Sequence, residues 1–198
     1  MEAQGFQMGG ASNPAAGDVP IADAGSLITG TTVEAALQEI YSRRKYVAAA
    51  GDQIATQQNV TLQNDAELII AGIANLEVWW IEFTVLFTAA SGTPDIKIGM
   101  KVTNGSFIWG GIGLAGSQGG YSFNGTGATP GTLLTETGDA AAGDFSFGSA
   151  NGLVGGKVGG IFTGSGAGGV QMKFSQATSN ASDVTRKAKS FVRAERFA

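Results

Sequence analysis

What chemistry could these side chains perform? The 198 residues include no histidine and no cysteine. Ser-His-Asp and Cys-His nucleophile systems cannot be assembled, and the common zinc sites cannot either. Acid–base work would fall to Asp, Glu, Lys or Tyr. The tightest acidic group is Glu136, Asp139 and Asp144 in TETGDAAAGDF. A carboxylate pair there could serve a glycosidase, and carboxylates could coordinate calcium. No D-x-D-x-D-G pattern is present, and a solvated loop is the simpler account. The expectation is no enzyme, no cofactor and no metal.

Two segments match G-x-G-x-x-G: Gly111, Gly113, Gly116 and Gly164, Gly166, Gly169. A phosphate cradle needs a helix directly after the glycines, so that the anion meets the helix N-terminus. SQGGYSF and VQMKFSQ follow instead, and neither has helical periodicity. With 32 glycines, chance matches are expected. Five of the twelve basic residues fall near the end: Arg186, Lys187, Lys189, Arg193 and Arg196. They could suggest nucleic acid. A net charge of −4 gives no general pull toward DNA or anionic membranes. The plainer reading pairs them with acidic residues of the same or a neighbouring subunit. Trp79, Trp80 and Trp109 could form a carbohydrate platform, but two of them sit mid-strand in the most apolar segment, which favours packing. Asn59, Asn104, Asn124 and Asn180 open N-x-S/T triplets, read as coincidence in an Asn- and Thr-rich chain.

The elements that must position these residues follow from composition and period. Charged residues make up 14% and apolar residues 43%, the reverse of a disordered chain. Many glycines and few helix-forming runs point to strands and long loops. The opening MEAQGFQMGG lacks the basic start and apolar core of a signal peptide, and LIIAGIANL is too short to span a bilayer. Residues 1–20 read as an extended arm. Residues 21–50 read as a linker and helix, with SRRKYVAAAGDQ as a charged, small-residue connection. Residues 51–198 read as a β domain.

The helix lies in IADAGSLITGTTVEAALQEI. Thr31 and Glu34, three apart, predict a capping box. Val33, Leu37 and Ile40 predict a narrow a/d stripe on a helix of about three to four turns. Alone such a helix is marginal. It either packs on its own β domain or meets copies of itself around a symmetry axis, and the second is favoured.

Beyond Gly51 the period becomes two. Trp79, Ile81, Phe83, Val85 and Phe87 share one face of a central strand. Ile96, Ile98, Met100 and Val102 share a face of DIKIGMKV, and Val170, Met172 and Phe174 a face of GVQMKFSQ. GSFIWGGIGL, GDFSFG and GKVGGIFTG read as further short strands. KSFVRAERF alternates too, with helix as its other reading. These features predict an all-β fold: a jelly-roll-like antiparallel β-sandwich preceded by a short neck helix and an extended N-terminal arm.

Two stretches resemble known proteins. Asp23, Gly25, Thr29, Gly30, Thr31, Val33, Glu34, Ala35, Ala36, Leu37, Gln38 and Glu39 follow a D-x-G-x-x-x-T-G-T-x-V-E-A-A-L-Q-E-L module of bacteriophage virion proteins. VQMKFSQATSNASDVTRKAKSFVRAERF resembles the closing strands of the β domain that often follows it. Lys189-Ser190-Phe191-Val192 stands where that pattern has Gly-Ser-Tyr-Leu. The two matches cover about a quarter of the chain. The resemblance implies a homotrimeric head-fibre, decoration or tail-fibre protein of the virion, made in the host cytoplasm. In such proteins an N-terminal segment attaches to capsid or tail proteins. The helix would be a trimerising neck with Val33, Leu37 and Ile40 as its seam. Capsid decoration is the first reading. A tail fibre that binds a host surface glycan through loops such as Gly110–Gly120 and Thr126–Asp144 is the second. A glycan-degrading enzyme using Glu136 with Asp139 or Asp144 is a distant third. Neither nucleic acid nor membrane is an expected partner.

Overall fold

The computed structural model describes residue 15 and residues 19–20, 28–89, 95–114, 133–139, 144–147 and 152–197. The arm expected at 1–20 therefore falls almost wholly outside the described residues. The chain divides into two compact units, Met1–Arg43 and Arg44–Ala198.

The first unit holds one helix, α1 (Val33–Ser42). Its cap differs from the expectation. Thr32, not Thr31, is the N-cap, with extended backbone and a hydroxyl that accepts from Ala35 N at 3.3 Å. A bridge between Pro20 and Thr32, and the bond from Val33 N to Val19 O at 3.0 Å, hold Thr32 extended. Three residues beyond Thr32 stands Ala35, which has no carboxylate, so no capping box closes. Glu34 instead accepts from Gln38 Nε2 one turn on.

The second unit is all-β and antiparallel. Its strands are β1 (Arg44–Ala48), β2 (Gln53–Ile54), β3 (Gln63–Ile73), β4 (Val78–Ala89), β5 (Ile96–Leu114), β6 (Leu134–Glu136), β7 (Phe145–Phe147), β8 (Gly152–Gln176), β9 (Val184–Arg186) and β10 (Phe191–Arg196). The unit starts at Arg44, seven residues before the expected boundary at Gly51. Arg44–Ala48, read from sequence as a connection, pairs with β10. KSFVRAERF is a strand, not a helix.

The sheet runs β1-β10-β4-β8-β5-β6. β5 and β8 pair along nearly their whole length. At Asn104 the ladder breaks: Thr103 opposes Gly169 and Gly105 opposes Gly164, leaving the four residues Ser165–Gly168 of β8 opposite the single Asn104. Asn104 takes φ 45°, and its side-chain amide donates to Ala167 O at 2.8 Å. Such a bulge bends both strands. On one side of it β4 flanks β8 and β6 flanks β5. On the other, β3 flanks β8 and β7 flanks β5. One sheet thus folds over on itself into a sandwich.

The enclosed core is the face expected from the alternation. Trp79, Ile81, Phe83, Val85 and Phe87 of β4, Ile96, Ile98, Met100 and Val102 of β5, and Val170, Met172 and Phe174 of β8 are all buried. The strands read separately as DIKIGMKV and GSFIWGGIGL are one strand, as are GKVGGIFTG and GVQMKFSQ. Glycine makes this possible by removing side chains where backbones crowd. A Cβ on Gly160 would sit 1.9 Å from Ile108 O, and one on Gly169 would sit 2.1 Å from Ile70 O.

A buried charge closes one end. Arg186 of β9 is fully buried beside Asp65 of β3, also fully buried. Its Nε donates to Asp65 Oδ2 at 2.7 Å, and its terminal nitrogens reach Asp65 Oδ1, Glu67 Oε2, Gln53 Oε1 and Gly51 O. Asp65 Oδ1 also accepts from Glu67 N and Leu68 N. Each nitrogen of the Arg186 guanidinium and each oxygen of the Asp65 carboxylate has a partner, the condition under which a buried ion pair is tolerated.

Two stability outcomes follow. Asp65→Ala leaves Arg186 buried without its counter-ion, so urea unfolding should show a loss of about 3–5 kcal/mol; a loss below 1 kcal/mol would refute the closure role. Lys189 sits at φ 70° in the turn before β10, a conformation that costs a side chain about 1 kcal/mol and glycine almost nothing. Lys189→Gly should therefore raise the urea midpoint, and a lowered midpoint would contradict the strain.

Candidate functional site

The acidic cluster is not one site. Asp139 accepts from Lys173 at 3.0 Å and lies 3.3 Å from Lys101. Those lysines, Lys173 first, hold its carboxyl below the usual range. Asp144 faces Lys97 at 3.8 Å, and burial pushes its carboxyl up against that attraction. Glu136 is fully buried on β6, opposite Phe107 of β5. Asp139 and Asp144 thus fasten their segment to the outer lysines of β5 and β8. Among the described residues no group of three or more Asp, Glu, His or Cys is placed to hold a metal ion.

The glycine motifs lie inside strands. Gly111 and Gly113 belong to β5, and Gly164, Gly166 and Gly169 to β8, which continues as strand to Gln176 after its motif. Gly116 lies outside the described residues. The tryptophans divide. Trp79 and Trp109 are core; Trp109 stacks on Phe107 and meets Phe145 edge-on at 5.1 Å. Trp80 alone of the three faces outward, so the three form no common platform. Three of the N-x-S/T asparagines have structural work: Asn59 and Asn180 close turns onto Thr61 N and Ser182 N, and Asn104 makes the bulge. Asn124 lies outside the described residues.

Four of the five basic residues of the tail are paired within the chain. Arg186 pairs with Asp65 and Glu67, Lys187 with Asp52, Arg193 with Glu82 at 3.1 Å, and Arg196 with Glu77 at 2.7 Å. The polar-face reading is the one realised, with Arg186 as an exception: it points into the core. The loops at 110–120 and 126–144 are described only at 110–114, 133–139 and 144. Among the described residues no helix is long and apolar enough to cross a membrane.

What the first unit displays is different in kind. Ala36 is the buried residue of α1. Leu37 is 51% exposed, Ile40 47% and Tyr41 80%, while Val33 is half-buried. Three of these four expected or adjacent stripe residues therefore face solvent. The helix is held by a strap that sequence reasoning missed. Glu39 accepts from Thr29 N at 2.6 Å, Thr29 Oγ1 at 2.8 Å and Gly30 N at 3.0 Å, and from Arg43 at 2.5 Å. Gly30 fits because a Cβ there would lie 2.7 Å from the Ala35 and Ala36 backbone. The signal was present in Thr29, Gly30 and Glu39, but spacings of ten and nine residues match no local helix rule. No family model matches the chain, and no curated protein matches its sequence.

The strap is testable by titration. The Thr29 hydroxyl, then Arg43, lower the Glu39 carboxyl from 4.5 to about 2. A lowered folded-state value stabilises the folded form above the ordinary value, and that stabilisation fades as pH falls from 4.5 toward 2. Carbon-detected NMR should place the Glu39 midpoint near 2, moving up toward 4.5 in Thr29→Ala. An ordinary midpoint in the unaltered chain would remove the strap.

Proposed function

We propose that this protein is a structural component of a bacteriophage virion, a homotrimeric capsid decoration or head-fibre protein. The observation that carries the reading is the solvent-facing stripe of α1, Leu37 and Ile40 with Tyr41 beside them, in the segment that resembles the phage module. A ten-residue helix is too short to be stable by itself in water. A narrow apolar seam is what helices use to meet copies of themselves. In this reading residues 1–20 dock on the virion, α1 sets the trimer and the β unit projects. The mechanism is assembly, without catalysis. The engagement of Asp139 and Asp144 by lysines supports that.

The protein should migrate as three chains in native mass measurements, and Leu37→Asp should yield monomers. An unchanged mass in Leu37→Asp would sink the seam. Gold-tagged antibody to the β unit should label the heads of intact particles in electron microscopy. Label at the tail would move the reading to a fibre that binds a host surface glycan, and unlabelled particles would overturn both.

A further inference from the structure

The outward face of β10, β4, β8 and β5 carries an apolar row. Trp80 pairs across to Ile161, and Ile161 to Ile108. Cross-strand partners share a face. These three are 38%, 44% and 44% exposed on adjacent strands. At the β1 end, exposed Tyr46 leans on Phe191, with ring centroids 5.5 Å apart. There the surface dips into a hollow of about 570 Å³ lined by Arg44, Tyr46, Trp80, Arg193 and Glu195 among others. The neighbouring row is Glu82, Gly159 and Gly110. Its two glycines leave a furrow beside the ridge.

The charges say what kind of partner fits. Arg44 holds Glu195 at 3.3 Å. Arg193 and Lys157 hold Glu82 at 3.1 and 3.3 Å. Every cation named here is already held by a carboxylate, Arg193 and Lys157 by the same one, so the charges form a mixed border and not a basic patch for an acidic glycan or nucleic acid. What lacks a partner is the apolar ridge, bordered by both signs of charge. Both signs of charge at the rim offer charge partners to the rim of a second copy, through the heterologous contact that a three-fold ring uses. Chain connectivity favours the same partner. Only Arg43 separates the end of α1 from β1. Helices packed together lie about 8–10 Å apart, so trimerising helices gather the starts of three β1 strands near one axis. Arg44, Glu195 and Trp80 form a single cross-strand row from that start.

We propose that the Trp80–Ile161–Ile108 row is the face on which the β units of neighbouring copies pack. This rests on the self-association of α1 proposed above, which supplies the proximity. The β units then hold each other through the ridge, with the furrow receiving side chains of the next copy.

The test uses the full chain. Light scattering after size exclusion gives the mass of the unaltered protein, Ile161→Glu and Leu37→Asp. Iodide quenching reads Trp80, since Trp79 and Trp109 are buried; Trp80→Phe identifies its share. The expected result is three chains in the unaltered protein, a fall to one in Ile161→Glu with unchanged far-UV circular dichroism, and Trp80 quenching that rises severalfold on dissociation. If Leu37→Asp gives monomers while Ile161→Glu stays trimeric and Trp80 is freely quenched in the assembled protein, the β face is overturned and the helix seam survives. If the unaltered protein is a single chain at all concentrations, both fall. Should Ile161→Glu fail to fold, the quenching of Trp80 in the assembled unaltered protein decides alone: shielding supports the face and open access overturns it.

Discussion

The pairing of β5 with β8 is the constraint from which the β unit is built. The other long strands, β3 and β4, both join β8, and the short β6 and β7 join β5. The ribbon they form is too long to stay flat over a closed core. It turns back at Asn104, where one residue on β5 faces four on β8. An asparagine suits that point because it tolerates a left-handed backbone and its short amide can bond locally. Glycine does the rest, letting neighbouring carbonyls approach where any Cβ would collide.

That constraint also explains how much of the fold was legible. The inward faces of β4, β5 and β8 follow from strict alternation, which survives any error about where a strand stops. The ends do not. The stretch from Gly164 to Gly169, between two segments read as separate strands, carries the composition of a loop, yet it lies within β8. Gly164, Gly168 and Gly169 there are crowded by the carbonyls of Ala74, Thr103 and Ile70, far away in sequence, and no window of neighbours contains that cause. Arg44–Ala48 was missed for a related cause. A strand whose outward residues are Arg44, Tyr46 and Ala48 has no clean polar–apolar rhythm until β10 is known to lie beside it.

Of the candidate functional residues, the stripe Leu37 and Ile40 was legible because helical spacing is local. The cap was displaced by one residue, because Val19 and Pro20 pin Thr32 extended. The charges were the least legible. Arg186 sits among exposed basic residues in sequence, and its burial depends on Asp65, 121 residues away. Its neighbours Lys187, Arg193 and Arg196 stay on the surface with partners of their own, where single ion pairs contribute little to stability. The same tail therefore contains a core residue and ordinary surface residues, and only the third dimension separates them.

The order of strands along the chain carries a consequence for biosynthesis. β4, the most apolar strand, leaves the ribosome long before either of its long neighbours, β8 and β10. β3 waits for β8 as well. Pairings between distant segments form slowly, and open strand edges invite association with other chains meanwhile. No stable half of this sandwich can be completed until β8 exists, since β3, β4 and β5 all pair with it. Folding of the β unit therefore waits for the synthesis of β8 and β10, and the nascent chain must be kept from its neighbours until then.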